Sequence, residues 1–257
     1  GGEDFVVADT KTNTGVKTSK GNDGLFLLQA DSSDVPMLFS NVGKSSSTVK
    51  VGSNTLTVYT RDTPECVLAN DYRGSYVKSD IDSMYSTFND IEKSAVMSTN
   101  LPEEKAPLSN PLNVTTITED NPTCLLTYTS NTKNKLAPDV SYFGCNAINK
   151  VKTFAISGTE AYNLFNSTDT KKIAYTRNYK EAGAKIGDGN RYWTRSMHTT
   201  TSSLGQSAIV CVCDNSISNF VQSSGIVNQY VRCTRAALNL NCDNIAFRMT
   251  KDASKNT

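Results

Sequence analysis

The chain has 257 residues, of which 37% are apolar, and its 26 basic and 25 acidic side chains leave a net charge of +1. The two signs are interspersed, without a Lys/Arg run long enough to follow a phosphate backbone, so the composition excludes an electrostatic case for a nucleic-acid partner. No apolar stretch approaches the roughly 20 residues of a membrane-spanning helix, so no direct membrane insertion is expected, and the start Gly1-Gly2-Glu3-Asp4, without a basic or apolar leader, fits a removed signal or a chain that begins inside a longer protein.

Residues 1–24 are rich in Thr, Lys, Asn and Gly and read as a polar arm rather than core, and Gly24 to Gln29 supplies the first apolar run. Between Thr48 and Tyr59, the residues Val49, Val51, Leu56 and Val58 alternate around Gly52-Ser53-Asn54, which predicts an antiparallel hairpin. From Ser79, the positions Ile81, Met84, Tyr85 and Phe88 share a 3.6-residue period. Asp90 opens a second helical stretch with Ile91, Ala95 and Val96 as its apolar side.

Residues 101–149 contain Pro102, Pro107, Pro111, Pro122 and Pro138, so loops are expected there, with brief strands at Val114 to Ile117 and Cys124 to Tyr128. The apolar segments on either side are partial cores, and no domain boundary is placed between them. Ser157-Gly158-Thr159-Glu160 is a capping box, because a Ser hydroxyl and a Glu carboxylate three residues apart satisfy each other's backbone N–H groups. A helix of about two turns follows, with Ala161, Leu164 and Phe165 as its buried stripe.

Groups able to do chemistry are few. His198 is the sole histidine, so a hydrolase triad or multi-histidine metal site would have to be built around it or without it. Within Met197 to Ser203 it reads as an exposed loop residue. Gly183 to Gly189 lacks the Gly-Lys-Ser/Thr ending of a phosphate cradle and reads as a turn. Asp188 and Asp214 could ligate calcium, but neither sits in an Asp-X-Asp-X-Asp-Gly loop. The seven cysteines lack paired Cys-X-X-Cys motifs. Cys211 and Cys213 share one face of a β-prone run, where they read as small buried hydrophobes, with a metal or redox pair as the alternative. Disulfides would join Cys233 or Cys242 to Cys124 or Cys145, and spacing does not fix the connectivity. No cofactor or metal is implied.

Two segments stand out near the C-terminus. Tyr192-Trp193-Thr194-Arg195-Ser196 contains the sole tryptophan, and Thr234-Arg235-Ala236-Ala237-Leu238-Asn239-Leu240 follows about forty residues later, across a stretch rich in Ser, Thr and Asn. Aromatic-Trp-X-Arg-Ser, a polar insert, then Arg-X-Ala-Leu resembles a C-type-lectin-fold domain family of unassigned function, found in clostridial surface proteins and their phages. The likeness is collinear from about residue 49 to about residue 248. It departs at the closing motif, where the family usually flanks the arginine with Gly and Pro and this chain has Cys233 and Ala236.

The resemblance implies an α+β, C-type-lectin-like fold: a twisted antiparallel sheet with two or three short helices and long loops. It would occupy residues 49–248, after a polar N-terminal arm and first strands in residues 1–48 and before a polar tail in residues 249–257. Trp193, Arg195 and Arg235 are read as framework, with a ligand-anion clamp as the alternative for the two arginines. An arginine beside Trp193 can stack on its ring, and its planar fork can tie down carbonyl oxygens or a carboxylate.

The polar insert holds the candidate contact residues: Tyr192, His198, Thr199, Thr200, Ser202, Asn215, Ser218, Asn219, Phe220, Asn228 and Tyr230. Short hydrogen-bonding groups and amphipathic rings suit adaptable recognition, and the residues alone equally fit ordinary solvated loops. The resemblance implies the former. C-type-lectin-fold proteins, including the variable targets of diversity-generating retroelements, present binding residues in the corresponding segment. The expected function is a non-catalytic, surface-displayed module for adhesion or receptor recognition. It would take a protein or glycan ligand, sit at the cell surface, outside the cell or on a virion, and join a homo-oligomer or larger assembly through the N-terminal arm. The alternatives are a structural or receptor-binding component of a phage particle or surface filament, and an oxidase resembling the formylglycine-generating group. The last needs two poised cysteines, and fold analogy alone does not transfer activity.

Overall fold

The computed structural model describes residues 4–30, 33, 36–40, 47–51, 54–59, 61, 68–102, 104, 114–118, 125–128, 145–164, 191–198, 203–212 and 221–243. In chain order the strands are β1 (Phe5–Asp9), β2 (Leu25–Gln29), β3 (Met37–Leu38), β4 (Ser47–Val51) and β5 (Asn54–Val58). A 3₁₀ turn at Tyr72–Gly74 precedes the helices α1 (Tyr76–Ser86) and α2 (Asp90–Ala95). Then come β6 (Thr99–Leu101), β7 (Val114–Thr118), β8 (Leu125–Tyr128), β9 (Ile148–Val151) and the helix α3 (Gly158–Leu164). The C-terminal part adds β10 (Arg191–His198), β11 (Ser203–Leu204), β12 (Ser207–Val212), β13 (Val221–Ile226), β14 (Val231–Arg232) and β15 (Ala237–Leu240).

Few helices and several small antiparallel sheets make this an α+β protein. The three-stranded sheets run β1-β2-β15, β10-β12-β13 and β11-β5-β4, and β14-β3, β6-β9 and β7-β8 form pairs. Among these strand pairs β11 with β5 is parallel and the others are antiparallel. Among the described residues no helix is long and apolar enough to cross a membrane.

Local signals act as the physical chemistry of the chain requires. The β4–β5 register runs from Ser47 opposite Val58, through Val49 opposite Leu56, to Val51 opposite Asn54, which is the hairpin that the alternation predicts. Helix α1 starts three residues before the predicted Ser79, where the Ser75 hydroxyl accepts from the Lys78 N–H, and it buries Val77 and Ile81. At α2, Asn89 accepts from the Glu92 N–H and the Glu92 carboxylate accepts from the Asn89 N–H, a reciprocal capping box. Ile91 is 82% exposed, so it is not on a buried face as its spacing predicted. Six residues give α2 less than two turns, and the flanking Phe88 and Val96 pack instead, against Leu238. The Ser157–Glu160 box forms at 2.9 and 3.0 Å and starts α3. The pair β7–β8 covers the predicted short strands, while Cys124, Phe165 and Gly183 to Gly189 lie outside the described residues.

Residues 4–24 depart from the expected arm. Strand β1 pairs with β2, which pairs on its other side with β15, so both ends of the described chain meet in one sheet. Thr12 and Thr18 are buried. The Asn13 side chain accepts from the Asn239 amide at 2.9 Å and donates to Glu160, and the Asn13 backbone N–H donates to Asn239 Oδ1 at 3.3 Å. Asn22 and the Lys20 N–H donate to the Asp243 carboxylate. Polar side chains usually mark surface; here Asn13, Lys20 and Asn22 bond to distant segments while Thr12 bonds locally to Val16 O, and this pairing allows the segment to pack.

Three consecutive pairs of residues divide the interior. Phe154, Tyr192 and Ala237 belong to one apolar cluster with Phe26, Leu28 and Leu101. Their neighbours Ala155, Trp193 and Ala236 belong to a second, with Phe39, Tyr72, Val77 and Ile81. Extended backbone turns successive side chains to opposite faces, so these segments form a layer with a core on each side. Backbone bonds knit the layer: Trp193 N–H to Cys233 O and Arg195 N–H to Ile156 O, both 3.0 Å, and Ala237 N–H to Phe154 O, 2.7 Å.

Gly205, between β11 and β12, has a φ of +76° and lies so close to the Tyr59 carbonyl that an added Cβ would collide with backbone. Gly205→Ala is therefore expected to lower stability by about 1–3 kcal/mol, measurable as a lower urea midpoint with an unchanged m-value.

Candidate functional site

Strand β10 organises the C-terminal segment, and its side chains show what that segment can do. Tyr192 and Trp193 are fully buried, on opposite sides of the layer. The Trp193 ring meets Phe39 edge-on at 5.4 Å, and its Nε1–H donates to Met37 O at 2.9 Å. The one polar atom of a large ring is thus satisfied inside the core.

Arg195 is also fully buried, and it stands over Phe154 at 5.9 Å rather than stacking on Trp193 as the sequence suggested. Positions two apart share a face on a regular strand, but the β10–β12 register shifts between Trp193 and Met197, and this irregularity accompanies the turn of Arg195 to the Phe154 side. Its Nη2–H donates to Glu160 at 2.6 Å and Glu104 at 3.2 Å, while Nη1–H donates to Glu160 and to Ala155 O. Ser157 completes the centre by donating to Glu104 at 2.5 Å. Burial works to lower the Arg195 pKa, and the Glu160 and Glu104 charges outweigh it, so the guanidinium is held above its ordinary value. Cys145 lies nearby with its thiol pushed up to about 12, chiefly by burial, and stays protonated at neutral pH.

Arg235 is the counterpart on the other motif. Its Nε–H donates to Gln29 O at 2.7 Å, and its guanidinium lies 5.4 Å over the Tyr192 ring. Trp193, Arg195 and Arg235 are therefore interior groups, and so is Tyr192. The sequence placed Tyr192 on the contact face; its ring instead fills the first core and seats Arg235.

His198 also moves from the expected exposed loop to the interior. It is the last residue of β10, pairs with Ser207 of β12, and is buried. The Asn70 amide spans this pair, donating to His198 O at 3.3 Å and to Ser207 O at 2.7 Å. Burial lowers the His198 pKa from 6.5 to about 4, so the imidazole is neutral at pH 7.

The exposed part of the segment begins where the layer ends. Asn228, Gln229, Tyr230 and Val231 face solvent, with Tyr230 45% exposed, in a turn leading into β14. Arg232, half of β14 and itself buried, lies 5.1 Å over the Tyr230 ring and holds it against the framework. The exposed Tyr76 adjoins β3, the partner of β14, through its N–H bond to Phe39 O at 2.9 Å.

Of the predicted contact residues, then, Asn228 and Tyr230 are exposed together, and Tyr192 and His198 are interior. Thr199, Thr200, Ser202, Asn215, Ser218, Asn219 and Phe220 lie outside the described residues, as do Asp188, Asp214 and Cys213. Sequence reasoning missed Glu104 and Asn70. Neither sits in a local motif, and only tertiary pairing identifies them. Cys145, Cys233 and Cys242 are thiols, so the disulfides considered between Cys145 and Cys233 or Cys242 are not formed. Among the described residues no group of three His, Cys, Asp or Glu side chains is arranged to hold a metal. No protein-family model, curated protein or solved structure matches the chain.

Proposed function

We propose that the chain is a non-catalytic binding module of C-type-lectin type. It is displayed on a cell surface or virion and takes a protein or glycan ligand on the face formed by its C-terminal polar segment. The observation that carries this reading is the run Asn228-Gln229-Tyr230-Val231, exposed and directly continuous with buried framework at Arg232 to Arg235. Two amide side chains and a half-exposed phenol ring offer hydrogen bonds and an apolar face. The Arg232 guanidinium restrains the ring, which reduces the entropy lost on binding. The α+β architecture with small antiparallel sheets is compatible with the lectin-type reading.

The purified chain, screened on a glycan array and in pulldowns against surface proteins, is expected to give a ligand whose affinity falls roughly tenfold or more in Tyr230→Ala. The same substitution should leave thermal stability within about 0.5 kcal/mol of wild type, because the ring is half exposed. A ligand bound equally well by both proteins would place the contact face elsewhere.

A further inference from the structure

One buried junction contains two polar atoms that have no hydrogen-bond partner among the described residues, His198 Nδ1 and Asn70 Oδ1. Both side chains are more than nine-tenths buried, and the Asn70 amide itself bonds the His198 carbonyl. Buried polar groups are nearly always paired, so two orphans on linked residues mark a place where the fold is held by geometry rather than by full satisfaction.

What surrounds the junction is held through it. The turn carrying Asn70 is fixed to the exit of β5 by Ala69 N–H to Tyr59 O, 3.0 Å. Strand β11 lies parallel to β5, with Ser203 opposite Thr57 and Leu204 opposite Val58. Asn70 thus joins the end of the β10–β12 pair to the hairpin β4–β5, and β11 touches that hairpin through two residues.

Among the described residues, the ionisable groups around the imidazole offer it no counter-charge. On the turn, Asp71 accepts from Arg73 and Asn146. Arg61 donates to Ser40 and Ala69 O. On β10 Arg195 is held by its glutamates and Arg191 stands at the far end, while Tyr59 follows β5 and β11 and β12 carry no Asp, Glu, Lys or Arg. An imidazolium formed here would be a buried charge facing only dipoles, which is the costly case.

We propose that His198 and Asn70 form an acid-opened latch: protonation of the buried imidazole parts the end of the β10–β12 pair and, with it, the β11–β5 contact. The sign follows from linkage. The opened state, with His198 in solvent, binds the proton more readily than the closed state, so closure is fully stabilised above the ordinary pKa of 6.5 and is lost as pH falls toward about 4. Over that window the closed-to-open ratio falls by about a hundredfold.

Amide hydrogen exchange from pH 7 to pH 4, corrected for its intrinsic pH dependence, tests the latch without any ligand. The amides of His198, Leu204 and Ser207 are expected to lose protection by tenfold or more in wild type, with the Ala237 amide unchanged. In His198→Gln, which keeps polarity without a titrating proton, they should stay protected. Equal profiles in the two proteins would overturn the proposal, and so would simultaneous loss at Ala237, which would mean global unfolding. Should His198→Gln fail to fold, the sole imidazole in the chain gives unambiguous NMR signals in wild type. Its titration near the ordinary value with no change in protection would equally overturn the latch, and its titration together with loss of protection supports it.

Discussion

Arg195→Ala is expected to cost about 3–5 kcal/mol, the loss characteristic of a buried ion pair deprived of one partner. The side chain is fully buried, and its removal leaves the Glu160 and Glu104 carboxylates, themselves mostly buried, facing each other without a cation. Ala155 O and the Ser157 hydroxyl that donates to Glu104 remain beside them and do not supply the missing charge. The cost should therefore reflect uncompensated charge more than lost contact. Arg195→Met combined with Glu104→Gln and Glu160→Gln is expected to recover a substantial part of the loss, since the three groups form one network and their effects are not additive. Urea denaturation of the single and triple variants measures both. An Arg195→Ala protein within 1 kcal/mol of wild type would show that the centre is not what holds β10 to residues 155–160.

Trp193→Ala is expected to cost a similar amount, about 3–5 kcal/mol, for a different reason. The ring has no exposure, fills the second core against Phe39, and donates to Met37 O, so truncation leaves a cavity and an unsatisfied carbonyl. Scaled to a domain of this size, that is a fall in Tm of roughly 6–20 °C. Wild-type stability in this variant would remove the case for Trp193 as framework.

The parts of the fold legible in the sequence are those where a local period or pair of residues decides the outcome. Val49, Val51, Leu56 and Val58 alternate and form a hairpin, and Ser157 with Glu160 caps a helix, because each depends on partners a few positions away. The framework motifs were visible as large buried residues around Trp193, Arg195 and Arg235, but the contacts that bury them were not. Arg195 was expected on Trp193 and is held by Glu104 across 91 positions instead. His198 and the segment around Asn13 illustrate the opposite error. Polar residues in polar surroundings read as solvated, whereas Asn70, Asn239 and Glu160 take them up across more than a hundred positions. Long-range satisfaction leaves no local period, so neither the latch nor the N-terminal packing could be read from one sequence.

The sheet β1-β2-β15 sets a timetable for synthesis. Asn13 and its partner Asn239 are separated by 226 positions, and β2 cannot receive its second neighbour until β15 has been made. At roughly 5–20 residues per second, a ribosome takes on the order of 10–45 s to cover that distance. Throughout that interval Leu25 to Gln29 presents unpaired backbone on one edge, a template for any other extended segment nearby. The nascent chain therefore depends on delayed closure, and shielding of the β2 edge during translation is expected to raise the yield of folded protein.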